Sequence, residues 1–253
     1  MLLGSASAQT APTRFGEVTF SRGEVGGQLF VTGRAGFSPL APPAETPPLG
    51  ECELSVGVLR SSEIDPEAYG AEAGEQGQEA PISAGPQLSV EAGGRTLFTL
   101  DASGPGYLLA GGPTELLKRI GGVAGPWPAG AVLSVPGQGS VYGFPAFRLP
   151  LPDAPEFEWQ SPSTVNTSDV LRWNGASSNP QARVKVLLRQ GNGQSARNVI
   201  CAAPDTGSFA LPQAVRSAVS GPLKVVGAFR TLETVTREGD AELRVRLEEG
   251  GLR

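Results

Sequence analysis

The chain has 253 residues, a net charge of −5, 35 glycines and 23 prolines, a content that works against long helices and suits short strands joined by turns. Histidine is absent and only two cysteines and one methionine occur, which removes Ser-His-Asp and Cys-His nucleophiles, four-ligand zinc and copper, so no metal or cofactor is expected. The basic residues are scattered, which argues against nucleic acid as a partner, and no apolar run is long enough for a transmembrane segment.

Residues 1–22 are expected to be a signal remnant followed by an extended segment, because Ala6-Ser7-Ala8 fits a small-residue cleavage site after a short apolar stretch. An ordinary N-terminus is the competing reading. Export to a secreted, periplasmic or cell-surface location would suit a disulfide between Cys52 and Cys201. Closing so long a loop is worth about 4–5 kcal/mol in the chain-entropy model. Two separate buried thiols are the alternative.

A first β domain is expected over 23–148. Residues 24–37 alternate around Leu29, Val31 and Phe37 with glycines between, and 52–59 alternate Cys52, Leu54, Val56 and Val58. The intervening 38–50 carries five prolines and reads as a surface loop. Residues 61–85 hold six acids and no Lys or Arg, and read as a solvated loop, since their spacing matches no calcium-binding loop. Two alternating runs around Ala92-Gly93-Gly94 predict a hairpin over 86–101. Residues 106–112 and 131–135 give two more strands, and 114–120 leaves helix and strand both open.

The proline-rich 149–155 reads as a linker to a second domain over 156–253. There, seven short apolar runs separated by turn residues predict an immunoglobulin-like sandwich, with Trp173 in its core and one short helix over 212–221. The fold class is therefore all-β, with two sandwich-like domains.

One tetrapeptide asks for chemistry. Asp205-Thr206-Gly207-Ser208 spells the active-site motif of pepsin-like aspartic proteases. Such catalysis needs two carboxylates sharing a proton. The chain holds no second Asp-Thr/Ser-Gly, and Pro204 biases the segment toward a turn. The motif is read as strand, turn, strand, with Asp205 bonding a nearby backbone N–H and Gly207 in the strained position. Glu156 and Glu158 share a strand face and read as solvent-facing rather than as a glycosidase pair. Trp127, Tyr142 and Phe144 concentrate in 127–147, where exposed rings would stack on sugar; ordinary β core is the competing reading.

The order Trp173-Asn174-Gly175, Cys201, Gly207-Ser208-Phe209-Ala210-Leu211-Pro212 resembles a pattern in secreted two-domain β-rich bacterial proteins with a C-terminal immunoglobulin-like domain. In the first domain, Tyr107, Pro136-Gly137 and Phe144-Pro145-Ala146-Phe147 are similar to turns of those proteins; Ser83 stands where their first motif has aspartate. The resemblance implies a fold and a compartment and brings no catalytic residues. The expected function is a non-catalytic structural or accessory subunit of an envelope assembly, with other envelope proteins as partners. The alternatives are a carbohydrate-binding module and, further off, a carboxylate-dependent hydrolase.

Overall fold

The computed structural model describes residues 11–25, 28–41, 47–57, 82–110, 127–140, 142–152, 156–174 and 182–252. The expectations placed on 1–9, 61–81 and 114–120 lie outside these.

The fold is all-β. The strands are β1 (Arg14–Val25), β2 (Gln28–Ser38), β3 (Cys52–Val56), β4 (Gln87–Ala92), β5 (Arg95–Ser103), β6 (Gly106–Leu109), β7 (Val132–Val135) and β8 (Phe147–Pro150). They continue with β9 (Thr164–Val165), β10 (Val170–Arg172), β11 (Arg183–Gln190), β12 (Arg197–Pro204), β13 (Ser208–Ala210), β14 (Leu223–Glu238) and β15 (Ala241–Leu252). The short helix α1 spans Gln213–Ala218, as the flanking Pro212 and Gly221 predict. The hairpin turn between β4 and β5 is Gly93-Gly94, both with positive φ (57° and 75°), the geometry that matches the strands' twist.

Among the described residues, thirteen strands form one sheet in the order β3-β12-β11-β14-β15-β1-β2-β6-β5-β4-β7-β8, with β9 beside β14; β10 and β13 form a second, two-stranded sheet. The expected break at 149–155 does not separate two sheets. Sixteen-residue β14 runs through both halves: Lys224–Thr231 pairs with β11, and Gly227–Glu238 pairs with β15. Strand β15 then pairs in parallel with β1, joining the two ends of the chain. Conversely β3, from the first half, is the strand next to β12 in the second. Residues 14–22, expected to be merely extended, belong to β1, a strand paired on both sides.

Among the described residues, two large apolar cores lie along this shared sheet. The first gathers Phe20, Phe37, Leu88, Phe98, Leu133, Phe144 and Phe147 with Leu232, Leu243, Val245 and Leu247 from the end of the chain. The second gathers Trp159, Leu171, Trp173, Val184, Val186, Leu188, Val199, Leu211, Val215 and Val225, with Cys52 packed against it. Burial of this kind stabilises by about 25 cal/mol per Å² of apolar surface, so sharing strands couples the two cores energetically.

Candidate functional site

Between the two cores the inner face of the sheet turns ionic. Cross-strand register lines up Val31, Arg22, Glu249, Arg230, Val184 and Ala203 in one row. Val31 belongs to the first core and Val184 and Ala203 to the second, so three charged residues fill the gap between them. Arg22 and Arg230 are each 1 % exposed and Glu249 is 4 % exposed. Charges this far from water persist only when paired and hydrogen-bonded.

Each charge has partners. Arg22 Nη2 pairs with Glu249 Oε1, and the Arg22 guanidinium lies 5.1 Å from the centre of the Trp127 ring. Arg230 Nη1 and Nη2 donate to the carbonyls of Glu156 and Asn174, both at 2.9 Å, and the guanidinium lies 5.2 Å from the Phe157 ring. The fourth charge is Asp205. Its Oδ2 sits 2.9 Å from Arg230 Nε, outside the direction of a good hydrogen bond, so this contact is ionic. Its Oδ1 accepts from Trp173 Nε1 at 2.8 Å and from Arg230 Nη2 at 3.3 Å. With Glu249 ionised, the ladder Arg22–Glu249–Arg230–Asp205 holds two positive and two negative charges.

Asp205 is thus placed in a turn, as the sequence indicates, and its carboxylate also meets Trp173 and Arg230. Thr206 closes it, with its N–H on the Pro204 carbonyl and its hydroxyl on the Ser208 carbonyl, while Gly207 takes φ +84°. Being enclosed, the Asp205 carboxylate is stabilised by charge-assisted hydrogen bonding from a guanidinium and by an indole N–H. Burial pushes the Glu249 carboxyl up to about 7, against the opposing pull of Arg22, first by its charge and then by its hydrogen bond. Its Oε2 is enclosed without a hydrogen bond among the described residues, which leaves a seat for a proton.

The opposite face of the same strands carries a second ionic array, reached by solvent. Glu233 meets Arg246 Nε at 2.7 Å, Arg183 Nη2 at 3.2 Å and Arg244 Nε at 3.6 Å. Arg246 also meets Glu17 at 3.0 Å, and Arg237 meets Glu242 at 2.7 Å.

The cysteines expected to pair do so. Cys52 and Cys201 face each other across β3 and β12 with Cα atoms 4.0 Å apart, at a non-hydrogen-bonded position where cross-strand side chains come closest. The bond closes a separation of 149 residues. It fastens β3 to the second core rather than tying two separate domains together.

The three aromatic candidates do not form one surface. Trp127 and Phe144 are buried inside the first core, whereas Tyr142 is 86 % exposed. Phe144 packs 4.6 Å from Phe37 and 5.3 Å from Phe147, ring centre to ring centre. A sugar-stacking platform needs two rings open to solvent, so this reading loses its support; the core claimed the rings because the chain has few of them. Glu156 and Glu158 are exposed, as expected.

The inner ladder is absent from the sequence expectations, although each strand member shows one signal, a charge in phase with an apolar face. Arg22 follows Val18 and Phe20 at every second position, and Glu249 follows Leu243, Val245 and Leu247 in the same way. Arg230 stands between Ala228 and Leu232.

Compared with protein-family models, with curated proteins and with solved structures, the chain finds no match in any of the three. Among the described residues no helix is long and apolar enough to cross a membrane.

Proposed function

We propose that the chain is a non-catalytic structural or accessory subunit of an extracellular or cell-envelope assembly, docking through the edge of its large sheet. The observation that carries this reading is strand β3. Among the described residues it pairs on one side only, with β12, and Leu54 and Val56 are exposed along it, Val56 by 73 %. An edge strand with unpaired backbone groups and apolar side chains is a template for another chain. The disulfide supports export, because such bonds persist in oxidising compartments. The enclosed, mutually paired charges support a scaffold role, since a reacting carboxylate must reach its substrate. We read the second core as immunoglobulin-like, supported by buried Trp173 between the β11-β12-β14 face and the small β10–β13 sheet.

The test is recovery of the native protein from its own envelope fraction after cross-linking. A defined complex that is lost in Val56→Lys, with the fold intact by circular dichroism, is the expected result. Recovery as a free monomer, or a complex indifferent to Val56→Lys, would overturn the reading.

A further inference from the structure

We propose that the open cleft beside the β11–β12 turn binds a tetrahedral oxyanion, a phosphate or sulfate group held between Arg189 and Lys224. The cleft measures about 360 Å³ and is lined by Thr164, Arg189, Gln190, Asn192, Lys224 and Val226, among others. Register places Thr164, Lys224 and Arg189 side by side in one row across β9, β14 and β11. Two like charges directly opposite each other in a sheet repel. Neither has a carboxylate partner among the described residues.

Elsewhere on β11 and β14, and on the neighbouring β15, arginines are paired. Arg183, Arg230, Arg237, Arg244 and Arg246 each meet an acid. On β11 and β14 the other arginines are paired, whereas Arg189 and Lys224 stand side by side facing a cleft. Arg189 Nε is enclosed with no acceptor among the described residues, and its Nη2 reaches the Gly193 carbonyl at 3.4 Å. A guanidinium fork needs acceptors, and the oxygens of phosphate or sulfate supply them in the matching geometry. The backbone is also irregular here: the register between β11 and β14 shifts at Leu187/Leu188, leaving Val226 as the extra residue on the cleft wall. Bulges of this kind re-aim side chains and recur beside binding sites. The Thr164 hydroxyl adds a neutral donor, and the cleft's open side leaves room for the rest of an ester.

The test uses the full chain, labelled with nitrogen-15 and titrated with inorganic phosphate, with glycerol 3-phosphate and, at matched ionic strength, with chloride. Phosphate should shift the amides of residues 189–193 and 224–226 saturably, and chloride should not. Arg189→Gln and Lys224→Gln should each weaken binding about tenfold, the size expected of one charge-assisted hydrogen bond, and the double variant should abolish it. Tighter binding of glycerol 3-phosphate assigns the site to an esterified ligand; equal binding assigns it to the free ion. Lys224→Glu, which gives Arg189 an acid, should raise the melting temperature in chloride while removing the response to phosphate. Equal shifts with chloride, or phosphate shifts that survive in the double variant, would overturn the proposal.

Discussion

Strands β1, β15 and β14 carry arginine and glutamate on both faces, and the two faces use them differently. On the inner face Arg22, Glu249 and Arg230 stand between two apolar cores, with Asp205 closing the row. On the outer face Glu17, Arg246, Glu233 and Arg183 form an array that solvent reaches. In water the attraction of an ion pair is screened and its partners are easily replaced. Out of water, desolvation can exceed the attraction, so the pair adds little net stability, yet losing one partner is severe. The same residue types therefore set the relation of the two cores on one face and mainly keep the surface wet on the other.

The strongest way to loosen the inner face is to remove the cross-link behind it. Replacing Cys52 and Cys201 together by Ala should lower stability by about 4–5 kcal/mol in the chain-entropy model, given the 149-residue separation. Denaturant unfolding of the oxidised protein and the variant checks this, and a loss confined to a few tenths would show that β3 is held by its ladder alone. Next comes Arg230→Met, which leaves Asp205 enclosed without its cation and strands the carbonyls of Glu156 and Asn174. The expected loss is about 3–5 kcal/mol. A value under about 1 kcal/mol, the range of an exposed pair, would mean that water reaches Asp205 and that the two faces are alike.

Acid and base separate the two regions as well. The Glu249 carboxyl is pushed up to about 7 in the folded protein from an ordinary value of 4.5. Between these values the unfolded chain releases this proton while the folded chain keeps it, so folding stability falls as pH rises from 4.5 to 7 and levels off above. The change is on the order of 3 kcal/mol, from about 1.36 kcal/mol per pH unit. Outside the ladder the sign reverses at Asp240, which hydrogen bonds from Arg14 and Thr13 hold at about 2. Its contribution is present above 3.8 and is lost as pH falls toward 2. Unfolding measured at intervals across the Glu249 window should show the decline, and Glu249→Gln should flatten it. A wild-type stability that rises across this window would break the assignment.

Much of the fold was legible where apolar residues alternate on their own. The hairpin around Gly93-Gly94, β6, β7, β11, β12 and α1 all follow from local pattern. Strand β1 was hidden because its inner positions read Gly16, Val18, Phe20 and Arg22, so glycine and arginine interrupt the apolar period. Its pairing with β15 was hidden for another reason: register between segments at opposite ends of a chain leaves no local trace. The ladder shares both difficulties. Arg22, Glu249 and Arg230 each occupy an apolar phase, but only the register brings them into one row. The cysteines were easier, since their small number limits the pairings.

The smallest effect belongs to the outer array. Arg237 is 53 % exposed along its side chain, and its partner Glu242 is also near Arg244. Removing it leaves Glu242 with a second cation and with water close by, so neither a buried charge nor a cavity results. Arg237→Ala should cost no more than about 1 kcal/mol, and molar salt should erase the difference by screening the pair. Denaturation of wild type and variant at low and high salt measures both numbers, and Arg230→Met serves as the internal reference. The cost of Arg230→Met should persist in high salt, because ions cannot enter the space between the cores. If salt reduced both losses equally, the two faces would share one environment, and the ladder would not be what separates the cores.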